Sequence, residues 1–215
     1  INEQSDYSFK IIDLFSGLGG FRIVMEEIGG KCVFSSESDK YAVETYKNNF
    51  GSEPNGDITE ISAEDIPEHD ILCAGFPCQP FSMMGSELGF DDVRGTVFFT
   101  VADLIKRKID KGAKPKVVVL ENVRRLLTHD GGNTFKVIKH IMEKELGYKV
   151  FYKILNSSDF GVPQTRNRIF IVCFDNQDVE FTFPETIDLN CTMHDMLEEN
   201  VNDKYFLSDK ILKTI

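Results

Sequence analysis

Residues 9–28, "FKIIDLFSGLGGFRIVMEEI", change periodicity across one glycine-rich turn. The apolar run that starts at Phe9 ends in "SGLGG", after which Phe21, Val24, Met25 and Ile28 recur at helical spacing. A short apolar run followed by that spacing reads as strand, tight turn, helix. The pattern then repeats. "KCVFSSE" reads as a second strand, "DKYAVETYKNNF" as a helix capped by Asp39, and "DILCAGF" as a strand. "GTVFFTVADLIKRKI" is a helix stopped by the glycine and proline of "KGAKPK"; Phe98 and Phe99 are core side chains on it. "KVVVLENV" is a β-branched run suited to a strand buried on both faces, and "NTFKVIKHIMEKEL" is a further helix. "YKVFYKILN" and "RNRIFIVCF" are strands joined by the turn-rich "SSDFGVPQT". Strands that alternate with helices predict an α/β domain: a mostly parallel sheet wound on both faces, with an antiparallel final strand. Ligands in such folds bind at the carboxyl ends of the strands.

The chain has 215 residues, 41% of them hydrophobic, enough for one large domain with a real core. No apolar run approaches the roughly 18 residues that cross a bilayer, and no export-type leader opens the sequence. Five cysteines, Cys32, Cys73, Cys78, Cys173 and Cys191, are widely spaced and form no CxxC or Cys/His pattern. That excludes a disulfide framework and a zinc site, predicts no metal, and points to a reducing cytoplasm. Cys32, Cys73 and Cys173 lie within apolar strand runs and read as core thiols. The four histidines share no spacing and read as solvated or structural. The net charge of −11 hides a division: residues 1–93 balance at −13, whereas residues 94–170 balance at +9. One basic surface on an acidic body is compatible with a polyanion held from one side.

The turn after the first strand has the composition of a small-molecule cradle. Gly17, Gly19 and Gly20 let the backbone bend tightly and bring amide groups and a helix N-terminus toward a ligand. Arg22 replaces the third glycine of the dinucleotide pattern. Glu37, at the end of the second strand, can accept hydrogen bonds from ribose hydroxyls. Asp57 and Ile58, expected near the end of the third strand, offer an acceptor and an apolar wall for an adenine. Cys78, in "GFPCQPFS", sits between two prolines after an apolar strand, and Glu121 ends "VVVLE" at the same sheet edge.

Taken together, "DLFSGLGGFR", "GFPCQPFS", "ENV" at 121–123 and "QTRNRIFIV" at 164–172 resemble the ordered motifs of the DNA cytosine-5 methyltransferases of bacterial restriction-modification systems. The resemblance spans residues 9–185. It implies the Rossmann-like fold of S-adenosylmethionine-dependent methyltransferases and transfer of a methyl group to carbon 5 of a cytosine flipped out of double-stranded DNA. Carbon 5 is a poor nucleophile, so Cys78 would add first at carbon 6 as a thiolate. Glu121 would relieve the charge at ring nitrogen 3 if burial raises its pKa. Arg168 resembles the arginine that steadies the activated base, and Arg166 the one that holds the catalytic loop or the DNA backbone. Pro77 and Gln79 flank the nucleophile, Ser82 is placed for a phosphate, and "SMMGSELGFDDVRG" resembles the segment that closes over the base.

Phe15, Leu18, Glu37, Asp57, Pro77 and Val97 match positions around S-adenosylmethionine, with Ser16, Gly17, Gly19, Gly20 and Ile58 completing that set. Ser38 stands where many relatives carry a large aromatic, which predicts weaker cofactor binding or another side chain in that space. Relatives continue into a target-recognition region and a final helix. Residues 186–215 are therefore expected to be a linker and the start of that region, completed by further chain or by a second polypeptide. Cytosine-5 methylation of tRNA uses closely similar motifs and is the alternative reading.

Overall fold

The computed structural model describes residues 7–77, 97–202, 205–208 and 211. They divide into two compact units, Ile1–Leu155 with Asn167–Pro184, and Asn156–Arg166 with Glu185–Ile215.

The first unit carries the alternation predicted from periodicity: β1 (Phe9–Leu14), α1 (Gly20–Glu27), β2 (Gly30–Ser36), α2 (Lys40–Phe50), β3 (Ile71–Gly75), α3 (Val97–Asp110), β4 (Val117–Val123), α4 (Asn133–His140), β5 (Lys149–Asn156) and β6 (Asn167–Phe174). α4 runs on into a single π-helical turn at Ile141–Glu145. The sheet order is β2-β1-β3-β4-β6-β5. β1 pairs in parallel with both β2 and β3, and β3 with β4. β6 runs antiparallel to β4 and so enters between β4 and β5. Chain direction across the sheet reverses beside β1, and the crevice outside the carboxyl ends of β1 and β3 is where this class of fold receives ligands.

Local chemistry explains the element ends. The Asp39 carboxylate accepts hydrogen bonds from the amides of Tyr41 and Ala42 at 3.0 and 2.9 Å, capping α2, and Gly51 ends it in the left-handed region at φ 68°. Asp57 and Ile58 follow an isolated antiparallel bridge between Glu37 and Gly56, and Asp57 caps a 3-10 turn over Ile58–Glu60. The preceding "GSEPNG" has no apolar run to build a strand.

Side chains alternate across a strand, so β1 shows what lies on each face. Ile12 and Leu14 join one large core with Leu72, Ala74, Val118, Leu120, Ile169 and the buried face of α3, including Phe98 and Phe99. Ile11 and Asp13 point the other way, toward Cys73 and Tyr46 on the side of α1 and α2. Helices thus cover both faces, as the alternation predicts. Cys73 and Cys173 are fully buried and their thiols are pushed up by desolvation, so both are core residues; Cys32 is half-buried and donates to the Phe34 carbonyl at 3.3 Å. His69 is also buried, whereas His129 meets Thr134 Oγ1 at 2.6 Å.

In the second unit, 3-10 turns form at Ser157–Phe160 and Met193–Met196. The latter is held by a capping box in which Thr192 and Asp195 bond reciprocally. The Ile187 amide donates to the Asp159 carbonyl at 2.9 Å, and Cys191 Sγ to the Gly161 carbonyl at 3.2 Å. Among the described residues, no helix is long and apolar enough to cross a membrane.

Candidate active site at the carboxyl edge of the sheet

The turn between β1 and α1 is held by backbone conformations that most residues avoid. Phe15 takes φ 55°, Gly17 φ 54° and Gly19 φ 91°. A bulky aromatic in the left-handed region is strained by about 1–3 kcal/mol, a feature that concentrates at functional sites. The glycines divide their roles. A Cβ on Gly19 would lie 2.1 Å from Phe50 Cε2 and 3.2 Å from Tyr46 Cε2, so the close approach of α2 requires a glycine here. A Cβ on Gly17 or Gly20 would meet nothing within 4 Å. Open space at those two positions is what a cradle requires.

Arg22, at the place of the absent third glycine, is a structural strut. Its guanidinium bonds Glu26 at 3.0 Å, Tyr46 at 3.1 Å and Ser52 at 2.9 Å, and its Cζ lies 4.3 Å from the Phe50 ring centroid. It ties α1 to α2 beneath the turn.

Glu37 joins the two loops of the cradle. One carboxylate oxygen accepts from the Gly17 amide at 2.8 Å, the other from the Ser38 and Asp39 amides, both at 2.9 Å. A carboxylate has about four acceptor positions, so roughly one remains for a ligand hydroxyl. Asp57 uses Oδ1 for the Thr59 amide and hydroxyl, leaving Oδ2 without a partner among the described residues. Ile58 is buried in the core, Leu18 and Pro77 are exposed, and Val97 is half-buried against the core at the start of α3. Ser38 bears no aromatic ring; Tyr41, one turn on, is exposed.

Sequence reasoning missed Asp13. Its side chain is fully buried under α1, neither oxygen has a hydrogen-bond partner within 3.5 Å among the described residues, and Ser16 Oγ and Ser36 Oγ are similarly unpartnered. Burial raises the Asp13 carboxyl to about 7; the Arg22 backbone amide and then its guanidinium oppose this, and Glu37 adds to it. The available signal was an acidic residue inside an otherwise apolar strand.

At the other side of the crevice, β4 and β6 bring Glu121 and Arg168 together. In the antiparallel register Val123 faces Arg168 and Glu121 faces Phe170, so Glu121 and Arg168 are diagonal neighbours. Arg168 Nε lies 2.8 Å from Glu121 Oε1, and both side chains are about four-fifths covered, at 21% and 23% exposure. Glu121 is thus paired with a guanidinium at this sheet edge. β4 continues two residues beyond it, to Val123. In the parallel register Glu121 faces Gly75, where a Cβ would come 3.5 Å from Glu121 Oε2. Asn122 is buried at 2% exposure and donates to the Phe76 carbonyl at 2.8 Å.

Arg166 belongs to the second unit, where its amide donates to Asn156 Oδ1 at 2.9 Å. Cys78, Gln79, Ser82 and the loop "SMMGSELGFDDVRG" lie outside the described residues. Among those described, no group of three or more His, Cys, Asp and Glu side chains is placed to hold a metal.

Residues 9–215 match the family of C-5 cytosine-specific DNA methylases. The chain belongs to that family. The chain is 53% identical over 205 residues to the type II methyltransferase M.HaeII of Haemophilus aegyptius, and 51% identical over 205 residues to M.NgoBI of Neisseria gonorrhoeae. Each alignment covers 94% of this chain and 62% of the relative. The chain therefore spans somewhat under two thirds of the length of these relatives. A solved structure of a DNMT2 variant from Spodoptera frugiperda superposes with a TM-score of 0.73 at 25% identity, covering 96% of this chain and 65% of that chain. The mixed sheet, mostly parallel with an antiparallel β4/β6 pair, is the fold shared with that structure.

Proposed function

We propose that this chain is the catalytic part of an enzyme that methylates carbon 5 of cytosine in double-stranded DNA. The reading is carried by the Glu121–Arg168 pair, held at 2.8 Å at the sheet edge where β3 leads toward Cys78. In this reading Cys78, as its thiolate, uses its lone pair to form a bond to carbon 6 of the base, and the π pair of the carbon 5–carbon 6 bond moves toward carbon 5, which can then accept the methyl group. Glu121 is presented toward ring nitrogen 3, while Arg168 fixes the carboxylate and adds positive charge where the ring gains negative charge. Loss of the carbon 5 proton after transfer expels the thiolate and restores the ring. Arg166 would act from the loop before β6, on the catalytic segment or a DNA phosphate.

S-adenosylmethionine, when bound, supplies the methyl group. The residues present fit it: open space at Gly17 and Gly20, the remaining acceptor capacity of Glu37, the unpartnered Oδ2 of Asp57, and unpartnered polar atoms of Asp13, Ser16 and Ser36 beside the turn. Phe15, Leu18, Ile58, Pro77 and Val97 would supply apolar contact. Residues 1–185 would form the cofactor-binding domain and 186–215 lead into a target-recognition region, supplied by further chain or by a second polypeptide. No metal is assigned a role, and a restriction-modification setting in the cytoplasm fits the relatives' type II names.

The test is covalent trapping. The full-length protein is incubated with S-adenosylmethionine and DNA containing 5-fluorocytosine, alongside RNA carrying the same base. Loss of the carbon 5 proton is blocked there, so a protein–DNA adduct should accumulate and vanish in Cys78→Ser. An adduct that survives this substitution refutes the reading, and trapping on RNA alone would move the substrate to tRNA.

A further inference from the structure

The parallel ladder between β3 and β4 ends at Gly75 opposite Glu121. Beyond that rung β4 keeps pairing with β6, Asn122 facing Ile169 and Val123 facing Arg168, while β3 leaves the sheet through Phe76 and Pro77. The Phe76 carbonyl is therefore past the last backbone partner that β4 offers it. Asn122 meets it with a side chain: Nδ2 donates to the Phe76 carbonyl at 2.8 Å, and Oδ1 accepts the Val123 amide at 2.8 Å. Both residues are buried, at 2% and 5% exposure, and the Phe76 ring packs on Phe98 at 5.7 Å between centroids.

The chemistry of this contact is narrow. Both ends of the carboxamide are used, and flipping it would set oxygen against a carbonyl and an amino group against an N–H, so its orientation is fixed. An aspartate has no donor for Phe76 when ionised, a leucine has none at all, and a glutamine is one methylene too long for the span. A buried carbonyl left without a donor costs about 1–3 kcal/mol, and the chain beyond it would shift to recover one.

We infer that Asn122 is a positioning residue: one side chain fixes the exit of β3, two residues before Cys78, to the β4 position next to Glu121. Beyond the last rung of the β3/β4 ladder, this amide holds the chain leading to the nucleophile against the strand end that bears the acid. This rests on the roles proposed above for Cys78 and Glu121.

The experiment compares wild type, Asn122→Leu, Asn122→Asp and Cys78→Ser of the full-length protein. Adduct formation with 5-fluorocytosine DNA is followed in single turnover at saturating cofactor and DNA, with cofactor affinity and thermal midpoint measured in parallel. Asn122→Leu should lower the rate about 100-fold or more while cofactor affinity stays within about threefold. Asn122→Asp should regain rate as pH falls and its carboxyl protonates to donate to Phe76, opposite to the wild-type loss of thiolate. The inference is overturned by an Asn122→Leu rate within about threefold of wild type. It is equally overturned if rate, cofactor affinity and thermal midpoint decline together, as a general structural role predicts. Should one variant fail to fold, the other decides by the same criteria. An adduct that persists in Cys78→Ser identifies failure of the underlying reading instead, independently of what the Asn122 variants do.

Discussion

Arg168 reaches across the β4/β6 pair to Glu121 at 2.8 Å, a diagonal contact that exists because β6 runs antiparallel and enters between β4 and β5. A parallel strand at that place would set a different register, and the guanidinium would not meet the carboxylate. The pair should behave as one unit. Glu121→Gln is expected to lower single-turnover methylation by about 10²–10⁴, and Arg168→Ala by a similar factor. The double variant should lose far less than the product of the two. Independent, multiplicative effects would show that the two side chains do not cooperate. Arg168→Lys keeps the charge and loses the planar fork, so it should restore only part of the rate.

The glycines of the cradle should separate stability from binding. Gly19→Ala adds a Cβ against the Phe50 ring at a left-handed φ of 91°, and should cost about 2–4 kcal/mol in urea unfolding. Gly20→Ala meets nothing within 4 Å in the protein, so its unfolding midpoint should barely move while cofactor titrations weaken at least tenfold. Equal losses of stability in both variants would contradict this division.

Asp13 gives stability a pH dependence of determined sign. Its folded pKa is raised to about 7 from an ordinary 3.8, so the folded state binds the proton more tightly than the unfolded chain. The contribution is fully present below about pH 4 and is lost as pH rises through about 7, at up to about 1.4 kcal/mol per pH unit. Asp13→Asn mimics the protonated form and should flatten that slope. Urea midpoints for both proteins between about pH 5 and 8 provide the check; parallel pH profiles would rule out the assignment.

Arg124 and Arg125 follow β4 directly, are exposed, and make no side-chain ion pair or hydrogen bond among the described residues. They lie in the basic stretch 94–170, next to the strand end that carries Glu121. If this edge faces the DNA backbone, each arginine replaced by alanine should reduce the slope of log affinity against log salt by about 1, with little change in sequence preference. An unchanged slope in the double variant places the phosphates elsewhere.

Much of this molecule is written locally. The apolar and helical runs locate the strands and α-helices described in the first unit, though not its 3-10 turns, because burial of one face imposes its spacing on the side chains. Asp39 announces a helix start, and the apolar setting of Cys73 and Cys173 announces core thiols. Four short motifs in order were enough to point to the family that residues 9–215 match. The close packing at Gly19 was not written locally, because it depends on Phe50 and Tyr46, some thirty residues further along the chain.

The identities of Glu121, Asn122 and Arg168, and the strands that carry them, were legible residue by residue. Their mutual geometry was not: the ion pair and the amide strut depend on strand order and register, which arise from packing between segments far apart in the chain. Periodicity records which face of a strand is buried, while only the folded sheet decides which strand lies beside it.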